Sequence, residues 1–233
     1  MKIQMFVYPG MTLLDMVGPL QTWSAWPGAE IQFVGKVAGP VVADSGLAVI
    51  ATHSFADAWT DPGILFTPGG GTPTYALLDD EESIAFLADR GARAGWVTSV
   101  CTGALLLGAA GLLRGYRATS HWYSREALAK FGAIPVHERW VIDRNRATGG
   151  GVTAGIDFGL ALTAQIHGEP LARMIQLLLE YSPKPPFSSG TPEEALPETR
   201  AMLSQLRDAR PGTTMEAAVE RAAGRLAAST SSA

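Results

Sequence analysis

Short apolar runs alternate with longer amphipathic stretches along most of the chain. Such runs, without regular polar alternation, are typical of buried parallel strands. Strands are predicted at residues 3–8, 31–37, 63–67, 96–100, 117–120, 136–142 and 146–148. Helices are predicted at residues 81–93, 124–131 and 153–166, directly after Cys101, and from Leu13 onward with Pro19 in the first turn. Residues 41–51 predict a small hairpin with a Ser45-Gly46 turn.

Strands that alternate with helices in this way predict an α/β fold with one open, mostly parallel sheet and helices on both faces, a flavodoxin-like arrangement. We expect residues 1–190 to form this domain. Residues 182–197 contain five of the 15 prolines and predict a loop that leaves the domain. Residues 191–233 are expected to form a helical extension, helical over 202–228 with a break at Pro211-Gly212, that packs on the domain or on a dimer partner.

Composition narrows the class of protein further. A content of 47% hydrophobic and 17% charged residues in 233 residues predicts a folded protein with a large core. A net charge of -4 argues against a nucleic-acid partner. A single cysteine excludes an intrachain disulfide and favours a cytoplasmic location. We see neither a signal-peptide pattern nor an apolar run long enough to span a membrane.

Cys101 lies between a β-branched strand and a good helix former, which places it at a strand-to-helix turn. At a turn of this kind the first free N–H groups of the helix point at the side chain and favour a thiolate. We therefore expect a lowered thiol pKa and a nucleophilic cysteine. A buried structural cysteine is the alternative interpretation.

Four features lie at the carboxyl ends of predicted strands, where open α/β sheets bind ligands. They are Asp15, the glycines at 69–71, Cys101 and the glycines at 149–151. The first glycine run offers N–H groups for an oxyanion, although a simple tight turn is the alternative. It has neither the lysine of a Walker motif nor the spacing of a dinucleotide fingerprint.

Asp15 stands between Leu14 and Met16, so burial is expected to raise its pKa and let it hold a proton for donation. A helix cap is the alternative role for Asp15. His121 follows a predicted strand and could pair with Cys101, but a structural histidine fits the sequence equally well. His121, Trp122 and Val152 are candidates for lining a pocket. No cluster of ligands predicts a metal or an organic cofactor.

Five motifs together resemble the ThiJ/PfpI superfamily over about residues 3–190: LDMVGP at 14–19, TPGGG at 67–71, SVCTG at 99–103, ATSHW at 118–122 and TGGGVTAGIDF at 148–158. Within it they are most similar to the isocyanide hydratase branch. The protease-like branch has histidine where this chain has Thr102, and many members have glutamate where it has Asp15. The AraC-type regulators carry a helix-turn-helix module, for which the residues after Phe187 are too few.

The resemblance implies an enzyme that adds water to an isocyanide and releases an N-substituted formamide. Asp15 would supply a proton, Cys101 would form a covalent thioimidate, and the N–H groups of Gly69, Gly70 and Thr102 would hold developing charge or the attacking water. It further implies a homodimer and no cofactor. A cysteine-based oxidative-stress sensor or binding protein and a glyoxalase-type hydratase are the alternatives.

Overall fold

The computed structural model describes residues 1–208 and 212–231 and contains ten short strands. The strands are β1 (Lys2–Phe6), β2 (Glu30–Val34), β3 (Gly39–Val42), β4 (Ala48–Ala51), β5 (Ile64–Thr67), β6 (Trp96–Val100), β7 (Arg117–Ala118), β8 (Ile134–Pro135), β9 (Trp140–Asp143) and β10 (Arg146–Gly149). Six of them form one sheet in the order β2-β1-β5-β6-β10-β9. All neighbours in that sheet are parallel except β9 and β10. The predicted mostly parallel α/β sheet is confirmed.

Eight α-helices and one 3₁₀ helix flank the sheet within the described ranges. They are α1 (Leu13–Trp23), α2 (Thr72–Leu77), α3 (Glu81–Arg93), α4 (Gly103–Ala109), the 3₁₀ helix (Arg125–Phe131), α5 (Ala154–His167), α6 (Glu169–Leu178), α7 (Pro197–Asp208) and α8 (Met215–Ser231). Helices in mutual contact form two groups. One group consists of α1, α5 and α6, and the second consists of α3, α4, α8 and the 3₁₀ helix. The predicted hairpin at 41–51 is the antiparallel pair β3 and β4.

The central strands β5 and β6 explain why their sequence shows no polar alternation. Ile64, Leu65 and Phe66 have no exposed surface, because helices cover both faces of the sheet at this point. On one face α1 and α5 approach closely, since a Cβ added to Gly155 would lie 3.0 Å from Pro19 Cδ. This contact fixes the position of α1 over the carboxyl ends of the strands.

Several predicted elements differ from the observed ones. β1 and β2 end at Phe6 and Val34, earlier than predicted, and β7 keeps only two residues of the predicted strand at 117–120. The prediction for Pro19 was wrong, because it lies in the interior of α1 rather than in its first turn. Buried packing against α5 offsets the cost of the missing N–H. Helices α2 and α6 were not predicted from the sequence.

The two C-terminal helices are placed differently. Helix α8 buries Ala218, Val219 and Ala222, and Arg221 forms an ion pair with Asp79 of the domain at 2.6 Å. Helix α7 instead exposes its apolar side chains, which include Met202, Leu203 and Leu206. Of the predicted break, Pro211 lies outside the described residues. Among the described helices, none combines the length and apolar character that crossing a membrane requires.

Candidate active site

Cys101 occupies the turn between β6 and α4, as the sequence predicted. Its φ is +57°, in the left-handed region that costs an L-residue about 1–2 kcal/mol. Hydrogen bonds of its backbone hold it there. The Cys101 N–H donates to Gly150 O at 2.7 Å and to Gly149 O at 3.1 Å, and the Cys101 carbonyl accepts from Ser120 Oγ at 2.8 Å. The surrounding chain therefore fixes the direction of the thiol.

Asp15 lies in the first turn of α1 and is completely buried. Its Oδ2 accepts the N–H of Gly69 at 2.9 Å, whereas its Oδ1 has no hydrogen-bond partner among the described residues. Burial raises the pKa of Asp15 from 3.8 to about 7, and the interactions with the Gly69 N–H and the nearby Cys101 side chain oppose that rise. Because the carboxylate binds a separate segment of the chain and Thr12 is the N-cap residue, Asp15 is not a helix cap.

Cys101 is 5% exposed as a residue, and the pKa of its thiol is raised well above the ordinary value of 9.0. Burial is the main cause, and the charge of Asp15 adds to it. Hydrogen bonds from the N–H and the side chain of Thr102 act in the opposite direction. The expectation of a lowered thiol pKa was therefore wrong, because removing the sulfur from water outweighs the donors of α4. At neutral pH the thiol keeps its proton, and Asp15 is the neighbouring group able to accept it.

The glycine segment after β5 holds the groups around Cys101 in place. The Gly69 N–H donates to Asp15 Oδ2. The N–H groups of Gly70 and Gly71 donate to Thr102 Oγ1 at 3.0 and 3.3 Å. A Cβ at residue 69 would lie 2.6 Å from Thr102 N, so only glycine fits there. In this arrangement the Thr102 N–H is directed at the sulfur. A role for Gly69 and Gly70 in holding charge on a reacting group stays a prediction.

His121 lies beside Gly151 rather than in a pair with the thiol. A Cβ at residue 151 would lie 3.5 Å from His121 Cδ2. The ring Nδ1 accepts the N–H of Tyr123 at 3.3 Å, and burial lowers the pKa of His121. No hydrogen bond between described side chains joins His121 to Cys101. Because burial lowers its pKa, the imidazole of His121 is neutral at pH 7, and a role in activating the sulfur has no support from these contacts.

The other pocket candidates lie near His121. The ring of Trp122 lies 5.5 Å from that of His121. Val152 directly follows Gly151 and is partly buried against the core. Whether these side chains touch a substrate stays a prediction.

Two buried hydroxyl groups near the thiol, those of Tyr8 and Thr74, were not predicted from the sequence. Tyr8 OH lies 2.9 Å from Thr74 Oγ1, which lies 2.9 Å from Thr102 Oγ1. Tyr75, next to Thr74, is half-buried, and burial raises its pKa to about 12. Thr74 could not be found from sequence because α2 has only six residues and begins in a glycine-rich turn. Within the described residues, no group of three or more His, Cys, Asp or Glu side chains is arranged to hold a metal ion.

Fold and site together define a class: an α/β protein built around a buried cysteine–carboxyl pair at a strand-to-helix turn. More particularly, the chain belongs to the DJ-1/PfpI family, whose sequence pattern matches residues 1–165. The predicted superfamily is thereby confirmed.

Curated relatives and solved structures agree with this assignment. Isonitrile hydratase of Pseudomonas putida is 43% identical over 195 residues, which are 84% of this chain and 85% of the relative, so the chain is a homologue of that enzyme. A ThiJ/PfpI family protein from Pseudomonas syringae of known structure is 47% identical with a TM-score of 0.87, covering 97% of this chain and 90% of that one. The HTH-type transcriptional regulator GbdR of Pseudomonas aeruginosa is 31% identical over 53% of this chain, but over only 38% of its own length.

Proposed function

We propose that this protein is an isocyanide hydratase, which converts an isocyanide and water into an N-substituted formamide. The observation that carries the proposal is the buried pair of Cys101 and Asp15, in which Asp15 Oδ1 has no hydrogen-bond partner among the described residues. The homology to isonitrile hydratase supports the same reaction. An isocyanide carbon must receive both a nucleophile and a proton, and this pair offers one of each.

In the first step the thiol of Cys101 adds across the terminal carbon of R–N≡C. The thiol proton passes to the Asp15 carboxylate as sulfur forms a bond to carbon, and Asp15 then delivers that proton to the same carbon. The product is the covalent thioimidate Cys–S–CH=N–R. The raised pKa values of both groups fit this order, because a thiol that keeps its proton needs a nearby carboxylate to remove it.

In the second step water adds to the thioimidate carbon, with hydroxide bonding to carbon and a proton to nitrogen. The carbon–sulfur bond then breaks as the new C–OH becomes a carbonyl, and the hydroxyl proton returns to sulfur through Asp15. This releases HC(=O)–NH–R and restores the Cys101 thiol. The Thr102 N–H favours departure of the sulfur, because it lowers the pKa of Cys101.

The alternative role as an oxidation sensor has less support. Peroxide reacts with exposed thiolates, whereas Cys101 is 5% exposed and burial raises the pKa of its thiol. A glyoxalase-type hydratase would use the same cysteine, so only the substrate distinguishes it.

Incubation with a simple aliphatic isocyanide tests the proposed reaction. We expect N-alkylformamide to appear by NMR, with deuterium at the formyl carbon when the solvent is D₂O, because that proton exchanges with solvent through Asp15. Mass spectrometry of the protein should detect a thioimidate on Cys101. The Cys101→Ala variant serves as the control and should give neither product nor adduct. Absence of formamide from the folded wild-type protein would reject the proposed substrate class.

We further propose that residues 1–190 with α8 form the catalytic body of a homodimer, and that α6 and α7 contact the partner subunit. Leu177, Leu178 and Leu206 are 80%, 69% and 65% exposed, a degree that favours burial against a second copy. Light scattering of wild-type protein should give the mass of a dimer, and Leu177→Asp should shift it toward the monomer. Leu47→Asp, at a position 62% exposed beside the hairpin turn, is the matched control.

A further inference from the structure

Tyr8, Thr74 and Thr102 form a buried chain of hydroxyl groups that ends at the sulfur of Cys101. Their exposed fractions are 4%, 0% and 3%. At its far end, Tyr8 OH donates to Pro68 O at 3.1 Å. At its near end, the side chain of Thr102 is within hydrogen-bonding reach of the thiol. Solvent has little access to these three hydroxyl groups, so their protons bind these protein partners.

Counting protons shows that the three hydroxyl groups can direct their protons in two ways. Each hydroxyl carries one proton and accepts at two positions. Thr102 Oγ1 already accepts the N–H groups of Gly70 and Gly71, so its own proton goes either to Thr74 Oγ1 or to the sulfur. When it goes to Thr74, the proton of Thr74 goes to Tyr8 and that of Tyr8 to Pro68 O. Every group then has a partner and the sulfur receives none of the three protons.

The second arrangement reverses all three donors. Tyr8 then donates to Thr74, Thr74 donates to Thr102, and Thr102 donates to the sulfur. Thr102 Oγ1 becomes crowded with three donors, and Pro68 O loses the one from Tyr8. This arrangement is favoured only when the sulfur carries negative charge, because hydrogen bonds to a charged acceptor are about twice as strong as neutral ones.

We propose that Tyr8 and Thr74 are positioning residues that set the direction of the Thr102 hydroxyl proton, away from Cys101 while the thiol is neutral and toward the sulfur when it is an anion. This change of proton direction is called the switch. Its use when Cys101 attacks an isocyanide and when the sulfur leaves the product rests on the proposed function. The switch itself concerns the thiol alone and can be tested without an isocyanide.

The ionisable groups that face the thiol come from three elements or their ends. They are Asp15 on α1, Tyr8 after β1 and Tyr75 on α2, and each acts on Cys101 or is acted on by it. Tyr8 and Tyr75 are neutral at pH 8, since burial raises the pKa of both. Over pH 8 to 9.5, where Asp15 is already ionised, Cys101 is thus the one group of this cluster whose ionisation is observed, through a thiolate population that is small and grows with pH.

The test measures the thiolate fraction of Cys101 between pH 8 and pH 9.5 by the rate of iodoacetamide alkylation, which is proportional to that fraction even when it is small, and absorbance near 240 nm provides a second measurement. Each variant is compared with the same variant carrying Cys101→Ala, so that tyrosine absorbance cancels. Absorbance does not depend on access of a reagent, so it shows whether a higher alkylation rate reflects more thiolate or only easier access. Circular dichroism confirms that each variant folds.

Opposite shifts are expected for the two threonines. Thr74→Val removes the competing acceptor, so the Thr102 proton turns to the sulfur and the thiolate fraction should rise several-fold. Thr102→Val removes the donor, so the fraction should fall by roughly tenfold, the worth of a hydrogen bond to a charged group. Tyr8→Phe should change the fraction in the same direction as Thr74→Val, because the proton of Thr74 then has only Thr102 to bind.

Two further variants separate this switch from general packing. Thr74→Ser keeps the hydroxyl and should return the wild-type fraction. Thr98→Val deletes a buried hydroxyl that donates to Leu65 O at 2.9 Å on the same sheet, outside the chain, and should leave the fraction unchanged. A fall in thiolate with both Thr74→Val and Tyr8→Phe, or no change with either, would overturn the proposal. Formamide production plays no part in this result, so the two proposals fail separately.

Discussion

Asp15 should make the folded protein less stable as the pH rises, and Asp15→Asn should remove this dependence. Burial raises the pKa of Asp15 from 3.8 to about 7 in the folded chain, whereas the unfolded chain restores a value near 3.9. The folded state therefore binds the proton more tightly. The resulting stabilisation is complete below about pH 4, is lost as the pH rises to about 7, and totals about 4 kcal/mol at roughly 1.4 kcal/mol per pH unit.

The asparagine variant keeps the shape of the side chain. Its amide oxygen can still accept the Gly69 N–H, while its NH₂ group replaces the partnerless Oδ1. An unsatisfied buried amide costs about 1–3 kcal/mol, but this cost does not change with pH. The pH-dependent part of the comparison thus reports the carboxyl alone. Between pH 5 and pH 8, the free energy of unfolding of Asp15→Asn should gain about 2.5 kcal/mol relative to wild type.

Urea denaturation at pH 5, 6, 7 and 8 measures this gain. Asp61→Asn, which changes an exposed carboxyl, is the matched control and should follow the wild-type curve. If Asp15→Asn and wild type differ by a constant amount at all four values, the carboxyl has no raised pKa and the proposed proton transfer loses its basis.

Four further outcomes concern activity. Cys101→Ala and Cys101→Ser should fold and show no turnover in the formamide assay, and activity near wild type would exclude a covalent intermediate. Because Asp15 must be ionised to accept the thiol proton, kcat/KM should rise with pH through about 7, and a profile that falls over this range would reverse its role. Asp15→Asn should lower kcat by roughly 10²–10⁴-fold and His121→Ala far less; the opposite order would make His121 the acid–base group. Because Thr102 stands where the protease-like branch has histidine, we expect no peptidase activity. Cleavage of a peptide library that is lost in Cys101→Ala would contradict the proposed hydratase function.

The position of Cys101 could be predicted because the local sequence determines it. A β-branched strand precedes the cysteine and a helix-forming segment follows it directly. Asp15 and the glycines at 69–71 could be predicted as neighbours for a similar reason, since strand ends meet at one edge of a parallel sheet. The raised pKa of Asp15 also follows from its apolar flanks in the sequence.

The raised pKa of the Cys101 thiol could not be predicted in this way, because it depends on how completely the packed chain excludes water. Neighbouring residues in the sequence do not reveal that Thr102 reaches Thr74 and Tyr8. These contacts join segments 28 and 66 residues apart. The exposed apolar face of α7 likewise depends on what its surroundings leave uncovered.

The left-handed backbone at Cys101 has a consequence for how this activity persists over generations. Glycine adopts that conformation without strain, so Cys101→Gly should fold at least as well as the natural chain while lacking the sulfur. Asp15→Asn is a second single change, one that removes the loss of stability on approaching neutral pH and slows the reaction by orders of magnitude. Mutational drift in this chain therefore runs toward stable, inactive proteins. Selection for turnover, not for folding, must maintain both residues.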